Sequence, residues 1–187
     1  MKILTKYFDD FTPKQIEQFA ALKSLYADWN EKINVISRKD IDNFYEHHVL
    51  HSLAITTQFS FPDGYDIMDL GAGGGFPGIP LAIFFPEVKF HLVDSINKKL
   101  KVVNEVVTAI GLTNVTTQHT RAEDIKDKKF DVVISRAVAP LKDLWYWSKP
   151  LLKQKPIDQP KKLSGLICLK GGDLSQEVSE SRLRPKV

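Results

Sequence analysis

The stretch DLGAGGGFPG, Asp69 to Gly78, constrains the fold more than any other part of the chain. It follows the short apolar run Ile67-Met68 and precedes the apolar stretch from Ile79 to Phe85, so the order reads strand, glycine loop, helix. Five glycines fall within the eight residues from Gly71 to Gly78. Glycine lets backbone come close to a ligand, and a helix start presents N–H groups that lack intrahelical partners. A junction of this kind cradles a nucleotide-like cofactor in α/β proteins.

Two cofactor patterns overlap on the loop. Gly73-x-Gly75-x-x-Gly78 satisfies the dinucleotide fingerprint, and Asp69-x-Gly71-x-Gly73-x-Gly75 satisfies the S-adenosylmethionine loop of class I methyltransferases. The first dinucleotide glycine comes directly off the strand; here that residue is Gly71, whose third position falls on Phe76, so this register fails. In the register that fits, Pro77 and Pro80 bracket the last glycine, where a helix should pack closely on the sheet. Asp69, ending the strand, repels a pyrophosphate and suits the ammonium group of a methionine moiety. These points favour S-adenosylmethionine.

A chain of 187 residues has room for one well-buried α/β domain. Its 43% hydrophobic and 26% charged residues are those of a soluble globular protein, with no apolar run near the roughly 20 residues of a membrane span. The start MKILTKYFDDF turns polar after four residues, unlike a secretory signal. A single cysteine, Cys168, excludes an intrachain disulfide or a cysteine-based zinc cluster and fits a reducing cytoplasm. Within Leu166 to Leu169 it reads as a small buried hydrophobe. Net charge is +3, yet residues 149–187 carry nine Lys and Arg against four acids. Such a segment either contacts a polyanion or is a solvated tail.

The first 60 or so residues read as helical. Thr12-Pro13-Lys14-Gln15 is a capping box with proline at the first helical position. Ile16, Phe19, Leu22, Tyr26, Trp29 and Ile33 then recur at helical spacing, and a second helix is expected from Asp40 to Phe59. From Asp66 onward strands and helices alternate: strands at 66–70, 88–93, 115–119, 130–135 and 166–169, with helices at 78–85, from Ser95 to Ile110, and at 140–152. Apolar strands alternating with helices imply a parallel sheet covered on both faces. The proline- and lysine-rich stretch 154–162 reads as a mobile loop.

Ligands of such sheets sit at the carboxyl ends of the strands. Besides the glycine loop, three features fall there. Asp94 closes the second strand, where an acid accepts hydrogen bonds from the ribose hydroxyls of adenosine; as a mere helix cap it is less needed, because Ser95 can cap. Ala122-Glu123-Asp124 follows the third strand, suited to adenine contacts or simply an exposed acidic loop. Ser135-Arg136-Ala137 ends the fourth, placing an arginine at the site or in a structural salt bridge.

At this point a family resemblance becomes specific. DLGAGGGFPGIPLAI, HLVDSINKK, RAED at 121–124, DVVISRAVAPL at 131–141 and LKGG at 169–172 resemble the RsmG (GidB) family, bacterial guanine-N7 methyltransferases of 16S ribosomal RNA. WNEKINVIS at 29–37 and HVLHSL at 48–53 are similar to the family's N-terminal motifs. Val35-Ile36 and His51 depart from its usual residues, departures that do not threaten the cofactor site. The resemblance implies a class I, Rossmann-like α/β methyltransferase fold, with residues 1–62 an N-terminal helical extension and 63–187 the core. It implies S-adenosylmethionine contacts at Gly71, Phe76, Ala122, Glu123 and Arg136, to which the physical argument adds Gly73 and Asp94. The substrate it implies is 16S ribosomal RNA or the small ribosomal subunit, methylated in the 530 loop.

Only 18 residues follow Leu169, so the core is expected to lack the final strands of a class I sheet. Guanine N7 has a lone pair and no proton to lose, so positioning replaces a general base, with Arg136 and His48 as candidates near the chemistry. His47 and His51 share a helix face but lack an HExxH pattern, and no metal site is expected. Three alternatives stay open on the residues: a methyltransferase for another substrate, a non-enzymatic nucleoside-binding module, and a dehydrogenase.

Overall fold

The computed structural model describes residues 1–136, 139–154 and 163–186. Most of the expected 154–162 loop, and Ala137, lie outside the described residues. Five strands, β1 (Asp66–Leu70), β2 (Lys89–Asp94), β3 (Val115–His119), β4 (Val132–Arg136) and β5 (Gly165–Leu169), form one sheet. Their order is β3-β2-β1-β4-β5 and every pairing is parallel. Strand order reverses at β1, so the crevice beyond the carboxyl ends of β1 and β4 is the topological switch point.

Largely apolar runs bury both faces of the central strands. Ile67, Leu92, Val132 and Ile134 join one core with α1 (Pro13–Asn30), α3 (Gly78–Phe84) and α4 (Asn97–Ala109). Met68, Leu70, Val93 and Val133 face the other way, onto Leu144 of α5 (Leu141–Ser148), beside which α6 (Ser175–Ser181) packs. This is the expected Rossmann-like α/β arrangement. Cys168 lies half-buried on β5, and burial pushes its thiol up to about 11, so it stays an unreactive thiol.

Helix α1 starts as its sequence dictates. Thr12 accepts from the Gln15 amide, and the Gln15 side chain accepts from the Thr12 amide at 2.9 Å. The same Gln15 side chain donates to the carbonyls of Ile83 and Phe84, and Gln18 donates to that of Ile110 at 2.9 Å. Side-chain amides on α1 thereby satisfy carbonyls at the ends of α3 and α4. The helix stops at Asn30, short of Ile33, because the Asn30 side chain accepts from the amides of Val35 and Ile36 and folds the following turn onto itself.

Four expectations need correction. The single helix from Asp40 to Phe59 is instead a 3-10 turn at Arg38–Asp40, a π-helical turn at Tyr45–Leu50, one α-helical turn, α2 (His51–Leu53), and a 3-10 turn at Ala54–Thr57. Phe44 and Val49, five apart and both fully buried, face one core across the widened turn. Hydroxyls of Ser52, Thr56 and Thr57 also draw on nearby carbonyls of the segment. Ser95 does not cap α4; the Asp94 carboxylate accepts from the Ile96 amide instead. Strand β4 runs two residues later than expected at its start, because Phe130 pairs as an isolated bridge with Leu152. Pro150 ends α5 early and turns 149–151 into a 3-10 turn.

Phe19 is fully buried, its ring 5.0 Å from that of Phe11, and joins α1 to the sheet core. Phe19→Ala is expected to lower the unfolding free energy by about 3–5 kcal/mol, read by urea denaturation. A loss below about 1 kcal/mol would show that α1 is not integral to that core.

Candidate functional site

The glycine loop leaves β1 at Leu70 and crosses the carboxyl edge of the sheet before α3 begins at Gly78. Its conformation is fixed from below. Asp69, with no exposed surface, accepts from the Gly78 amide at 2.8 Å, so the carboxylate at the strand's end ties down the far end of the loop. A Cβ on Gly78 would lie 2.7 Å from that carboxylate and 2.9 Å from Leu92, so only glycine permits the approach. Gly75 has φ of +95°, and a Cβ there would lie 2.6 Å from Ile79. From above, the Tyr26 hydroxyl of α1 donates to the Gly74 carbonyl at 2.5 Å, and Val35 packs on the same glycine.

The start of α3 has no free N–H: Gly78 donates to Asp69, Ile79 to the Gly75 carbonyl, Leu81 to the Pro77 carbonyl, and Pro80 has none. A dinucleotide pyrophosphate binds on free amides at this helix start, and here a carboxylate occupies the place. Asp69 therefore disfavours a pyrophosphate, as expected, but from beneath the loop; it does not line the cavity to meet an ammonium group. The prolines beside Gly78 do not keep α3 off the sheet, so that argument against a dinucleotide falls away and the blocked helix start replaces it.

Gly71, Gly73, Phe76, Asp94, Ala122, Glu123 and Arg136 all line one cavity of about 520 Å³ at the switch point. Asp94 is nearly buried; one carboxylate oxygen accepts from the Gly73 amide and the other from the Ile96 amide, both at 2.8 Å. Ala122 is buried at the start of a 3-10 turn, and Glu123 beside it is exposed at the rim. Arg136 ends β4 with its guanidinium 5.2 Å from the centre of the Phe76 ring. Among the described residues its partners are an imidazole, a carbonyl and this ring rather than the carboxylate of a structural salt bridge. His48 does not line the cavity; it stands behind Arg136, with Nδ1 3.1 Å from the guanidinium.

Sequence reasoning missed Val35, Lys99 and Trp147 in the cavity wall. Val35 comes from the turn after α1 and Trp147 from α5, where a local pattern reads only as packing. Lys99 carried a signal, one turn into the helix that follows Asp94. The neighbouring histidines diverge: His47 pairs with Asp40 at 3.0 Å while His48 meets Arg136. Of the basic C-terminal segment, Lys153 pairs with Asp66 and Asp131, and Lys170 with Glu177. Lys155, Lys161 and Lys162 lie outside the described residues.

Burial pushes the Asp69 carboxyl up to about 7, against the opposing pull of the Gly78 amide and of Arg136. Burial, and then the Arg136 charge, push the His48 imidazole down to about 4, so it is neutral at physiological pH. Burial also lowers the Arg136 value, while Asp69 raises it.

Comparison with known proteins agrees with this geometry. A family model described as GidB, rRNA small subunit methyltransferase G, matches residues 15–182. A Bacteroides thetaiotaomicron protein named ribosomal RNA small subunit methyltransferase G is 61% identical over 178 residues, 95% of this chain and 85% of that protein. A Bacteroides fragilis protein of the same name is 61% identical over 179 residues, again 95% and 85% of the two chains. Among solved structures, a ribosomal protein L11 methylase from Lactobacillus delbrueckii subsp. bulgaricus superposes with a TM-score of 0.50 at 19% identity. That match covers 71% of this chain and 66% of the other, and it speaks to the fold alone.

The raised Asp69 value has a consequence for stability. A folded value above the unfolded one favours the folded state below about pH 3.8, and that contribution is lost as pH rises through about 7. Asp69→Asn keeps an acceptor for Gly78 and has no charge to bury. Thermal melts across pH 4 to 8 are expected to show wild type losing stability relative to the variant up to about pH 7 and levelling off above. Parallel curves would overturn the buried-charge assignment.

Proposed function

The chain belongs to the rRNA small subunit methyltransferase G family, and on that premise we propose that it methylates N7 of a guanine in the 530 loop of 16S ribosomal RNA. The methyl donor is S-adenosylmethionine. The family match over residues 15–182 carries this reading, and the site's own chemistry supports it.

The residues present fit that donor. The helix start that would hold a pyrophosphate is filled by Asp69, while the Asp94 carboxylate at the end of β2 faces a cavity of about 520 Å³. Asp94 would accept from the ribose hydroxyls, Ala122 and Glu123 would contact the adenine, and Gly71 and Gly73 would bring backbone against the methionine portion. Phe76 and Arg136 would close the remaining end. Bound there, S-adenosylmethionine supplies a methyl group on a positively charged sulfur, an electrophile that needs no activation.

The chain's own contribution is orientation. Guanine N7 carries a lone pair and no proton, so no residue has to remove one. Holding acceptor and donor in line accounts for about 7–11 kcal/mol of barrier in well-oriented reactions. The rigid loop, tied by Asp69, Asp94 and Tyr26, supports such a role. We read residues 1–62 as an extension of the methyltransferase core at 63–187. Small ribosomal subunits, or their 16S RNA, are the partner, and the cytoplasm is the place of action. No helix among the described residues is long and apolar enough to cross a membrane.

The test incubates the protein with methyl-labelled S-adenosylmethionine and undermethylated 16S RNA, both naked and assembled into small subunits. Label is expected on one guanine, where reduction and aniline treatment then cleave the RNA, as they do at N7-methylguanine. No label in either substrate would refute the activity, and label without cleavage would refute N7. Asp94→Ala is expected to weaken S-adenosylmethionine binding about ten- to hundredfold by calorimetric titration, the scale of lost hydrogen bonds to a charged group. Unchanged affinity would remove its ribose role.

A further inference from the structure

We propose that His48 is a positioning residue, whose Nδ1 atom holds the Arg136 guanidinium at the cofactor cavity, so that the N-terminal extension sets the charge facing the methyl donor. The inference rests on the reading that Arg136 contacts S-adenosylmethionine.

Arg136 is held from three directions. One guanidinium nitrogen donates to His48 Nδ1 at 3.1 Å, another donates to the His47 carbonyl at 3.4 Å, and the Phe76 ring lies 5.2 Å beneath. Two of these supports come from the π-helical turn Tyr45–Leu50. In an α-helix the His51 amide would bond to the His47 carbonyl, four residues back. Here it turns to the carbonyls of Glu46 and His48, and the His47 carbonyl accepts from Arg136. Single π-turns of this kind recur at functional sites.

The imidazole itself is built to accept. A guanidinium has only donors, so Nδ1 supplies the lone pair and the ring proton resides on Nε2. That Nε2 is buried without a hydrogen-bond partner among the described residues. An unsatisfied buried donor works against stability, so the ring is retained for what Nδ1 does rather than for what Nε2 contributes. Its plane is fixed by Phe76, with centroids 5.1 Å apart, and by Phe44 at 6.0 Å. The backbone of the turn is fixed where the Ser52 hydroxyl donates to the His48 carbonyl at 2.6 Å.

Packing and positioning make opposite forecasts for two variants of similar shape. His48→Asn puts an amide oxygen close to the Nδ1 position, whereas His48→Leu has the same branching and no acceptor. A purely packed residue tolerates Leu better; a positioning residue tolerates Asn better. In the full chain, His48→Leu is expected to weaken S-adenosylmethionine binding about tenfold while its melting temperature equals or exceeds that of wild type. His48→Asn should stay within about threefold of wild-type affinity. His48→Ala is measured alongside, so that a folding failure of Leu leaves the comparison with Asn intact.

Arg136→Met separates the inference from its premise. Binding is expected to weaken in this variant, and adding His48→Leu should cause no further loss, as for two residues acting through one contact. Weakening by Arg136→Met with none by His48→Leu, or an Asn variant no better than Leu, overturns the role of His48 alone. Unchanged binding by Arg136→Met overturns the cofactor contact of Arg136 and the inference with it.

Discussion

The hydrogen bond from the Gly78 amide to the buried Asp69 carboxylate is the interaction on which the site's shape depends. It joins the last turn of a strand to the first turn of the helix that follows, and everything between must fit within that span. The glycine at 78 is a requirement of the carboxylate, since any Cβ would strike it. A carboxylate in the core is costly unless hydrogen-bonded or paired, and here one amide and the field of Arg136 oppose that cost. The same bond uses the helix start that dinucleotide enzymes keep open for phosphate. Fold and ligand preference thus follow from one contact.

Around that contact the loop is held through its backbone. Gly71 and Ala72 donate to the Val93 carbonyl, Gly73 donates to Asp94, and the Gly74 carbonyl accepts from Tyr26. Because β2 supplies two of these partners and α1 the third, the cavity is assembled from the parallel sheet and the N-terminal helices together. Asp94 has a double duty: it orders both the loop and the start of α4, while its remaining lone pairs face the cavity.

Much of this was legible because it is local. The short apolar run through Val132 and Ile134, β-branched throughout, suits a strand buried on both faces, and the Thr12-Gln15 pair names the start of α1. Other features depend on geometry that no short window carries. Phe44 and Val49 share a core at a spacing of five, which a search at helical period 3.6 absorbs into one side of a regular helix. The alternation of β1 assigns Asp69 to a sheet face but says nothing of a loop folding over it. Ser95 reads as the cap of α4 in sequence, whereas the helix begins after Ile96 without a side-chain cap, and only the turn geometry ties the Ile96 amide to Asp94. Val35 and Trp147 reach the cavity from segments far apart in the chain. The ribosomal substrate was legible through the ordered motifs alone, since nothing in the cofactor loop describes an acceptor.

The contact between Tyr26 and Gly74 makes two distant parts of the chain interdependent. A hydroxyl from the first helix satisfies a carbonyl of the glycine loop, and the tight space beside it admits no side chain at Gly75. Neither partner can drift without the other: a different leader would leave the loop carbonyl stranded, and a bulkier loop would eject the tyrosine. Helix and loop are therefore matched to each other in shape and hydrogen bonding. A chimera that grafts this core onto the leader of an unrelated methyltransferase would have to carry the tyrosine across as well.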